Sequence, residues 1–266
     1  MALAIERELT WTELDELTPI ALDQHIFDVG QTGSGKSTIM KLKILSQLLD
    51  LERVKIPVSN YRMIIVDTKD TPHGVDWRQG NFDFPDATRI HSWKDFDIST
   101  IKTRLIIYRP DLNSDEMNPG HFREVFQDIR NLRLVMPGQK ENEAGLLPLR
   151  VFIDELSDVV GTETTRNAYI DTMSELLVQG RSTWQTFWMS TQNPIYLDAN
   201  VRRQTQVKFV FYLDSPDDRD FIAKQLGDKT IRKPIPDLHG FFYANRQIES
   251  LRGGTIYFSG KIKNAG

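Results

Sequence analysis

The chain is predicted to fold as an α/β protein on a mainly parallel sheet, with helices on both faces and edge strands added by the C-terminal segment. Three observations predict it. Short apolar runs alternate with amphipathic stretches, a glycine-rich turn joins the first such run to the first such stretch, and 39% hydrophobic content in 266 residues suffices for one α/β core with small additions. In order, residues 1–22 form a polar lead-in with Trp11, Leu14 and Leu17 at helical spacing, expected to pack as a short helix outside the core. Gln24 to Val29 reads as a strand, and Ile39, Leu42, Ile44, Leu45, Leu48 and Leu49 recur as on a helix. Tyr61 to Asp67 and Arg104 to Tyr108 are apolar enough to be buried on both faces, and Pro110 ends the second. Between them, residues 70–86 are rich in Pro, Gly, Asp and Asn, the composition of an irregular surface excursion.

Met117 to Leu134 places Phe122, Val125, Phe126, Ile129 and Leu132 on one helical face, and Pro137 to Gly145 reads as a flexible loop. Leu149 to Asp154 is the next strand, and Asn167 to Gln179 is a helix with Ile170, Met173, Leu176 and Leu177 on one side. Gln185 to Thr191 and Gln206 to Leu213 complete the visible strand set. Ser215-Pro216-Asp217-Asp218 then supplies the cap, first-turn proline and early acids of a helix start. Phe241-Phe242-Tyr243 and Thr255-Ile256-Tyr257-Phe258, around Gly253-Gly254, read as the added edge strands.

Composition excludes several classes. There is no cysteine, so disulfides and thiolate metal sites are absent and a reducing cytoplasm is permitted. His25, His73, His91, His121 and His239 show no paired metal-ligand spacing. No apolar run is long enough to span a bilayer, and the early charges Glu6, Arg7 and Glu8 do not fit a secretory leader. A soluble protein is expected. With a net charge of −4 and a pI near 5.8, any nucleic-acid contact must come from a local basic patch.

The turn itself carries the chemistry. Gly30-Gln31-Thr32-Gly33-Ser34-Gly35-Lys36-Ser37-Thr38 fits G-x-x-x-x-G-K-[ST] between a strand and a helix. Backbone N–H groups of such a loop face the β-phosphate of ATP, Lys36 reaches the β- and γ-phosphates, and the Ser37 hydroxyl ligates Mg2+. Val151-Phe152-Ile153-Asp154-Glu155 is an apolar strand ending in two acids: Asp154 to orient Mg2+ through its waters, Glu155 to polarise the attacking water. A base for water favours hydrolysis over transfer to a small metabolite. Phe187 to Pro194 is another strand ending in polar residues, where the Gln192 amide can bond both the γ-phosphate and the water. Its bland alternative is a turn after a strand.

Together these elements resemble the FtsK–HerA superfamily of DNA-pumping ATPases. The match comprises residues 30–38, Ile64-Ile65-Val66-Asp67-Thr68-Lys69-Asp70, Val151 to Glu155, and Gln179-Gly180-Arg181-Ser182 leading into Ser190-Thr191-Gln192-Asn193-Pro194, within Asp23 to Gly227. Thr68 stands where the family has proline. The resemblance implies a RecA-like P-loop core with Walker A and Walker B positions, the motor spanning residues 23–266. It also implies a homo-hexameric ring with nucleotide between subunits and an arginine supplied in trans. Arg181 matches that arginine best by position, with Arg202 and Arg203 as rivals and helix capping as the structural alternative. Lacking the membrane spans and extra subdomains of other members, the chain is most like the minimal genome-packaging ATPases of tailless icosahedral viruses. Its expected partners are double-stranded DNA and a capsid or portal-like protein, and its expected place is the host cytoplasm or the virion. A conjugation or plasmid DNA pump, a nucleotide-dependent assembly switch and a metabolite kinase are the other readings. Lys140, Lys224, Lys229, Arg232 and Lys233 are candidates for a DNA path, or ordinary solvated surface.

Overall fold

The computed structural model describes residues 8–9, 11–18, 20–68, 82, 84–110, 119–134, 140, 145–160, 166–180, 184–194, 203–226, 229–235, 238, 240–245 and 258–262. In chain order the elements are β1 (Glu8–Leu9), α1 (Trp11–Leu17), β2 (Ile26–Val29), α2 (Lys36–Arg53), β3 (Arg62–Val66), β4 (Thr88–Ile90), β5 (Leu105–Tyr108), α3 (Pro119–Asn131) and β6 (Arg133–Leu134). There follow β7 (Gly145–Leu146), β8 (Leu149–Ile153), α4 (Leu156–Val160), α5 (Arg166–Gly180), β9 (Gln185–Thr191), β10 (Val207–Phe211), α6 (Pro216–Leu226), β11 (Gly240–Asn245) and β12 (Phe258–Ile262). Short 3-10 turns link some of them. The fold is α/β with a mostly parallel sheet, as the alternation of runs predicts. Among the described residues, no helix is long and apolar enough to cross a membrane.

The chain divides into two compact units, Met1–Asp50 with Ser190–Gly266, and Leu51–Met189. In the first, the strand order is β1-β12-β11-β10-β2. β2 and β10 run parallel with Ile26 opposite Val207 and Val29 opposite Val210. β11 is antiparallel to β10, β12 is antiparallel to β11, and β1 adds a parallel pair beyond β12. The antiparallel margin is held by rings: Phe209 lies 5.2 Å from Tyr243 and 5.9 Å from Phe241, offset geometries that aromatic pairs favour. The Ser215 hydroxyl caps α6 by accepting from the Asp218 N–H at 3.3 Å.

The second unit is parallel in the order β9-β8-β3-β5-β4, with β6 and β7 as a separate antiparallel pair. β3, β5, β8 and β9 are buried at every position, so their mainly apolar runs suit both faces of a covered sheet. Two polar side chains within them are bonded through these atoms: Arg150 Nε donates to Thr186 Oγ1 at 3.0 Å, and Gln185 Nε2 to the Ile129 carbonyl at 3.0 Å. α3 buries Phe122, Val125, Phe126 and Ile129, with Phe126 edge-to-face on Phe187.

Several expectations need correction. α1 is not outside the core, because Leu14 is fully buried. On α2, Leu45 and Leu49 are exposed at 43% and 65%; the inward face is Ile39, Met40, Lys43, Ile44 and Gln47, so polar residues take places that the apolar count assigned to leucines. Most of 70–86 lies outside the described residues, but Phe82 and Phe84 are buried, so the end of that excursion is packed. α3 ends at Asn131, and Arg133–Leu134 pairs with Gly145–Leu146, giving the expected loop a hairpin base. β4 and α4 are too short to show a period.

The buried charge on α2 is matched by α1. Lys43 Nζ lies 2.5 Å from Asp15 Oδ1, and Ser46 Oγ donates to Asp15 Oδ2 at 2.6 Å. Burial opposes ionisation of Asp15, but the bonds from Lys43 and Ser46 and the ammonium charge prevail and hold its carboxyl below the usual range. That stabilisation is present above the unfolded carboxylate pKa and is lost as pH falls through the lowered folded value. Breaking a fully buried pair costs about 3–5 kcal/mol; with Asp15 38% exposed, Asp15→Asn is expected to destabilise by about 2 kcal/mol. The measurement is thermal melting at neutral and acid pH, where the gap between wild type and variant closes as Asp15 protonates. A variant melting with wild type at neutral pH would contradict it.

Candidate functional site

In the first unit the glycine-rich turn is anchored at three points. Gly30 N–H donates to the Thr191 carbonyl at 3.2 Å, Gln31 N–H to the Tyr212 carbonyl at 3.0 Å, and Ser34 N–H to the Gln31 carbonyl at 3.2 Å. A Cβ on Gly30 would lie 2.5 Å from Phe211 Cβ and 2.8 Å from Ser34 Oγ, so only glycine fits. Gly33 and Gly35 have φ of +77° and +101°, which curls the chain into a concave run of N–H groups before α2.

The functional side chains of the turn are poised on it. Lys36 is buried, with its ammonium donating to the Gly30 carbonyl and, at 3.0 Å, to the Gln31 carbonyl. Ser34 Oγ is buried with no hydrogen-bond partner among the described residues. Ser37 is half-buried in the first turn of α2. Gln192 follows the end of β9, and its Oε1 accepts from Thr32 Oγ1 at 2.7 Å, so the residue read from sequence as a sensor touches the turn directly. The sequence marks Thr32 only as part of the loop; its hydroxyl two residues past the first glycine of the motif is the available signal.

In the second unit the carboxyl ends of adjacent strands gather charge. Val66 is in register with Ile153 on one side and Tyr108 on the other, so the next residues, Asp154, Asp67 and Arg109, stand side by side. Asp67 and Asp154 are fully buried; Arg109 Nη2 pairs with Asp67 Oδ2. Glu155 is nearly buried, and its Oε1 accepts from Ser157 Oγ at 2.7 Å. Thr68 Oγ1 donates to Asp158 Oδ2 at 3.0 Å, a bond that proline could not make. Sequence reasoning missed Arg109, although an arginine directly after a buried apolar strand was visible as a strand-end charge.

Arg181, Arg202 and Lys69 lie outside the described residues; Arg203 is exposed. Lys140, Lys224, Lys229, Arg232 and Lys233 are exposed too, and Arg232 pairs with Asp220 at 3.3 Å. Among the described residues no three His, Asp or Glu converge as a metal cage. Taken unit by unit, Ser37 offers a loop hydroxyl and Asp154 a buried strand-end carboxylate, each an oxygen donor of the kind Mg2+ accepts beside phosphates and water.

The close approach at Gly30 makes a prediction. Gly30→Ala should weaken binding of a fluorescent ATP analogue at least about tenfold, because the loop must leave Phe211 to admit the methyl group; Gly33→Ala, whose methyl meets nothing within 4 Å, should cost about 1–2 kcal/mol of folding stability through its left-handed backbone. Equal affinities for the Gly30 variant and wild type would show that the loop tolerates the shift.

No family model matches the chain, and no curated protein sequence matches it. Solved structures do. The genome packaging NTPase B204 from Sulfolobus turreted icosahedral virus 2, in complex with AMPPCP, superposes with a TM-score of 0.62 at 16% identity over 91% of this chain and 99% of that one. The pCW3 conjugation coupling protein TcpA, with ATPgS, gives 0.52 at 18% identity over 92% of this chain and 63% of its own. EccC of Thermomonospora curvata (ATPases 2 and 3) gives 0.52 at 14% identity over 93% and 38%. The chain therefore has the fold of these nucleotide-handling proteins, the fold that the resemblance to the FtsK–HerA superfamily implies.

Proposed function

We propose that the chain is an ATP-hydrolysing motor that moves double-stranded DNA as a homo-hexameric ring, and that its task is genome packaging against a capsid or portal-like partner, in the host cytoplasm or the virion. The observation that carries this reading is the fold shared along nearly the whole of both chains with a genome packaging NTPase. The glycine geometry of the loop supports nucleotide binding. Residues 23–266 form the motor, and residues 30–38 take the triphosphate. Bound Mg2+ would neutralise charge on the β- and γ-phosphates. Ser37 and Asp154 hold or orient that ion. Lys36 exchanges its loop carbonyls for phosphate oxygens, a charge-assisted replacement. Glu155, oriented by Ser157, accepts the proton of the attacking water, and Gln192 positions that water and the γ-phosphate. Arg181 supplies the positive charge from a neighbouring subunit, with Arg202 and Arg203 as its alternatives. A conjugation or plasmid DNA pump is the second reading, favoured by the fold shared with TcpA.

Glu155→Gln should keep nucleotide binding and lower turnover by roughly two to four orders of magnitude, because an amide keeps the shape and cannot take the proton. Lys36→Ala should lose binding itself. Single-turnover hydrolysis beside nucleotide titration separates the two effects, and wild-type turnover in the Glu155 variant would remove it from the role of base.

Duplex DNA should stimulate hydrolysis whatever its sequence, since a motor grips phosphates without reading bases, and salt should weaken the stimulation steeply through counterion release. Steady-state ATPase assays with and without duplex, alongside ATP-driven triplex displacement, test this. A rate indifferent to duplex, with no triplex displaced, would replace the motor by a nucleotide-dependent assembly switch.

A further inference from the structure

The amino ends of the strands in the second unit carry a feature that nucleotide chemistry does not use. Arg62 opens β3 and Arg104 precedes β5, and their strands are joined there by the Met63 N–H to Arg104 carbonyl bond at 2.9 Å. The two side chains cross. Arg62 Nη1 donates to the Thr103 carbonyl, and Arg104 Nη1 donates to the Tyr61 carbonyl at 3.0 Å, with Nη2 on the Ile56 carbonyl at 2.5 Å. Neutral carbonyls fix the forks without cancelling their charge. No carboxylate of the described residues comes within ion-pair distance of either guanidinium. Arg62 is only 6% exposed, and its Nε is buried without a hydrogen-bond partner. Burial first, and then the like charge of Arg104, pulls the Arg62 guanidinium below its usual range; burial does the same to half-buried Arg104, partly offset by the more distant charge of Glu52.

Large apolar groups flank the pair. Ile56, whose carbonyl Arg104 holds, is 37% exposed, and Val54 two residues earlier is 61% exposed. Trp184 is 53% exposed, and its carbonyl accepts from the N–H of Leu149, the residue in register with Arg62. With neighbouring strands about 4.8 Å apart, Trp184 stands roughly 10 Å from Arg62 along the sheet edge. Its φ of +59° is a left-handed conformation that an aromatic residue rarely adopts, and the result is an indole turned to solvent.

We propose that the crossed Arg62–Arg104 pair, flanked by Trp184 and Ile56, is a docking surface for an acidic segment of a partner protein that also carries apolar side chains, one of whose carboxylates the two guanidiniums share. Arginine and tryptophan beside each other are the residue types that dominate protein interfaces energetically. Arg62, buried and with no carboxylate of the described residues in ion-pair distance, gains most from an occupant that excludes water, as a protein segment does and the wet backbone of a nucleic acid does not.

The test is fluorescence anisotropy with a short labelled peptide of alternating Glu and Leu, its Lys/Leu counterpart, and labelled duplex DNA. Wild type should bind the Glu/Leu peptide and not the Lys/Leu peptide. Arg104→Gln and Trp184→Ala should each weaken binding about tenfold or more. Arg104→Lys should fall between, because the charge remains and the planar fork is lost. Melting curves confirm that the variants are folded, and if Arg104→Gln is not, Arg104→Lys and Trp184→Ala decide. Wild type failing to bind the Glu/Leu peptide, or folded variants binding it as wild type does, would overturn the proposal. So would Arg104→Gln losing duplex DNA while keeping the peptide, which would assign the pair to a phosphate backbone.

Discussion

The backbone of Gly30 lies against Phe211 so closely that a methyl group has no room between them, and the shape of the phosphate-binding turn follows from that contact. Because the chain can approach β10 there, the N–H groups of Gly30 and Gln31 reach the carbonyls of Thr191 and Tyr212 and are spent on anchoring. The N–H groups that remain for a ligand are those further along, where the positive φ of Gly33 and Gly35 turns them inward. Lys36 completes the turn by occupying the carbonyls of Gly30 and Gln31. Neutral carbonyls hold an ammonium less strongly than phosphate oxygens would, so exchanging these two for an anion's oxygens is favourable.

Charge in the second unit is sorted by strand polarity. At the carboxyl ends stand Asp67, Asp154 and Glu155, all buried, with Arg109 neutralising Asp67. At the amino ends stand Arg62 and Arg104, bonded to backbone carbonyls. Burying either set costs several kcal/mol per ion unless it is paired or solvated, so neither is explained by stability alone. The Asp67–Arg109 pair has a local consequence: it keeps the strand-end carboxylate next to Asp154 from adding uncompensated negative charge.

What the sequence made legible was whatever is repeated along the chain or concentrated in it. Strands buried on both faces are mainly apolar, so β2, β3, β5, β8, β9 and β10 could be placed from Ile64-Ile65-Val66 and its counterparts. The turn was legible because its glycines answer backbone demands that other residues cannot meet. What stayed hidden depends on pairing across long separations in sequence. Nothing local tells that Lys43 faces inward to meet Asp15 while Leu45 and Leu49 face out, or that Thr32 meets Gln192. Arg109 and Asp67 are likewise 42 residues apart and become partners only through the β3–β5 register.

Thr68 shows how a departure from a familiar pattern can be compensated nearby. Its hydroxyl reaches Asp158 in α4, a helix of five residues, too short to be stable on its own propensity. The same short segment positions Glu155: Ser157 donates to its carboxylate, and the Asp158 N–H donates to its carbonyl at 3.3 Å. A proline at residue 68 would leave Asp158 without that donor and α4 without its tie to the end of β3. The residue that breaks the pattern thus ties the end of β3 to the short helix that follows Glu155, a helix also anchored by buried Leu156 and Val159.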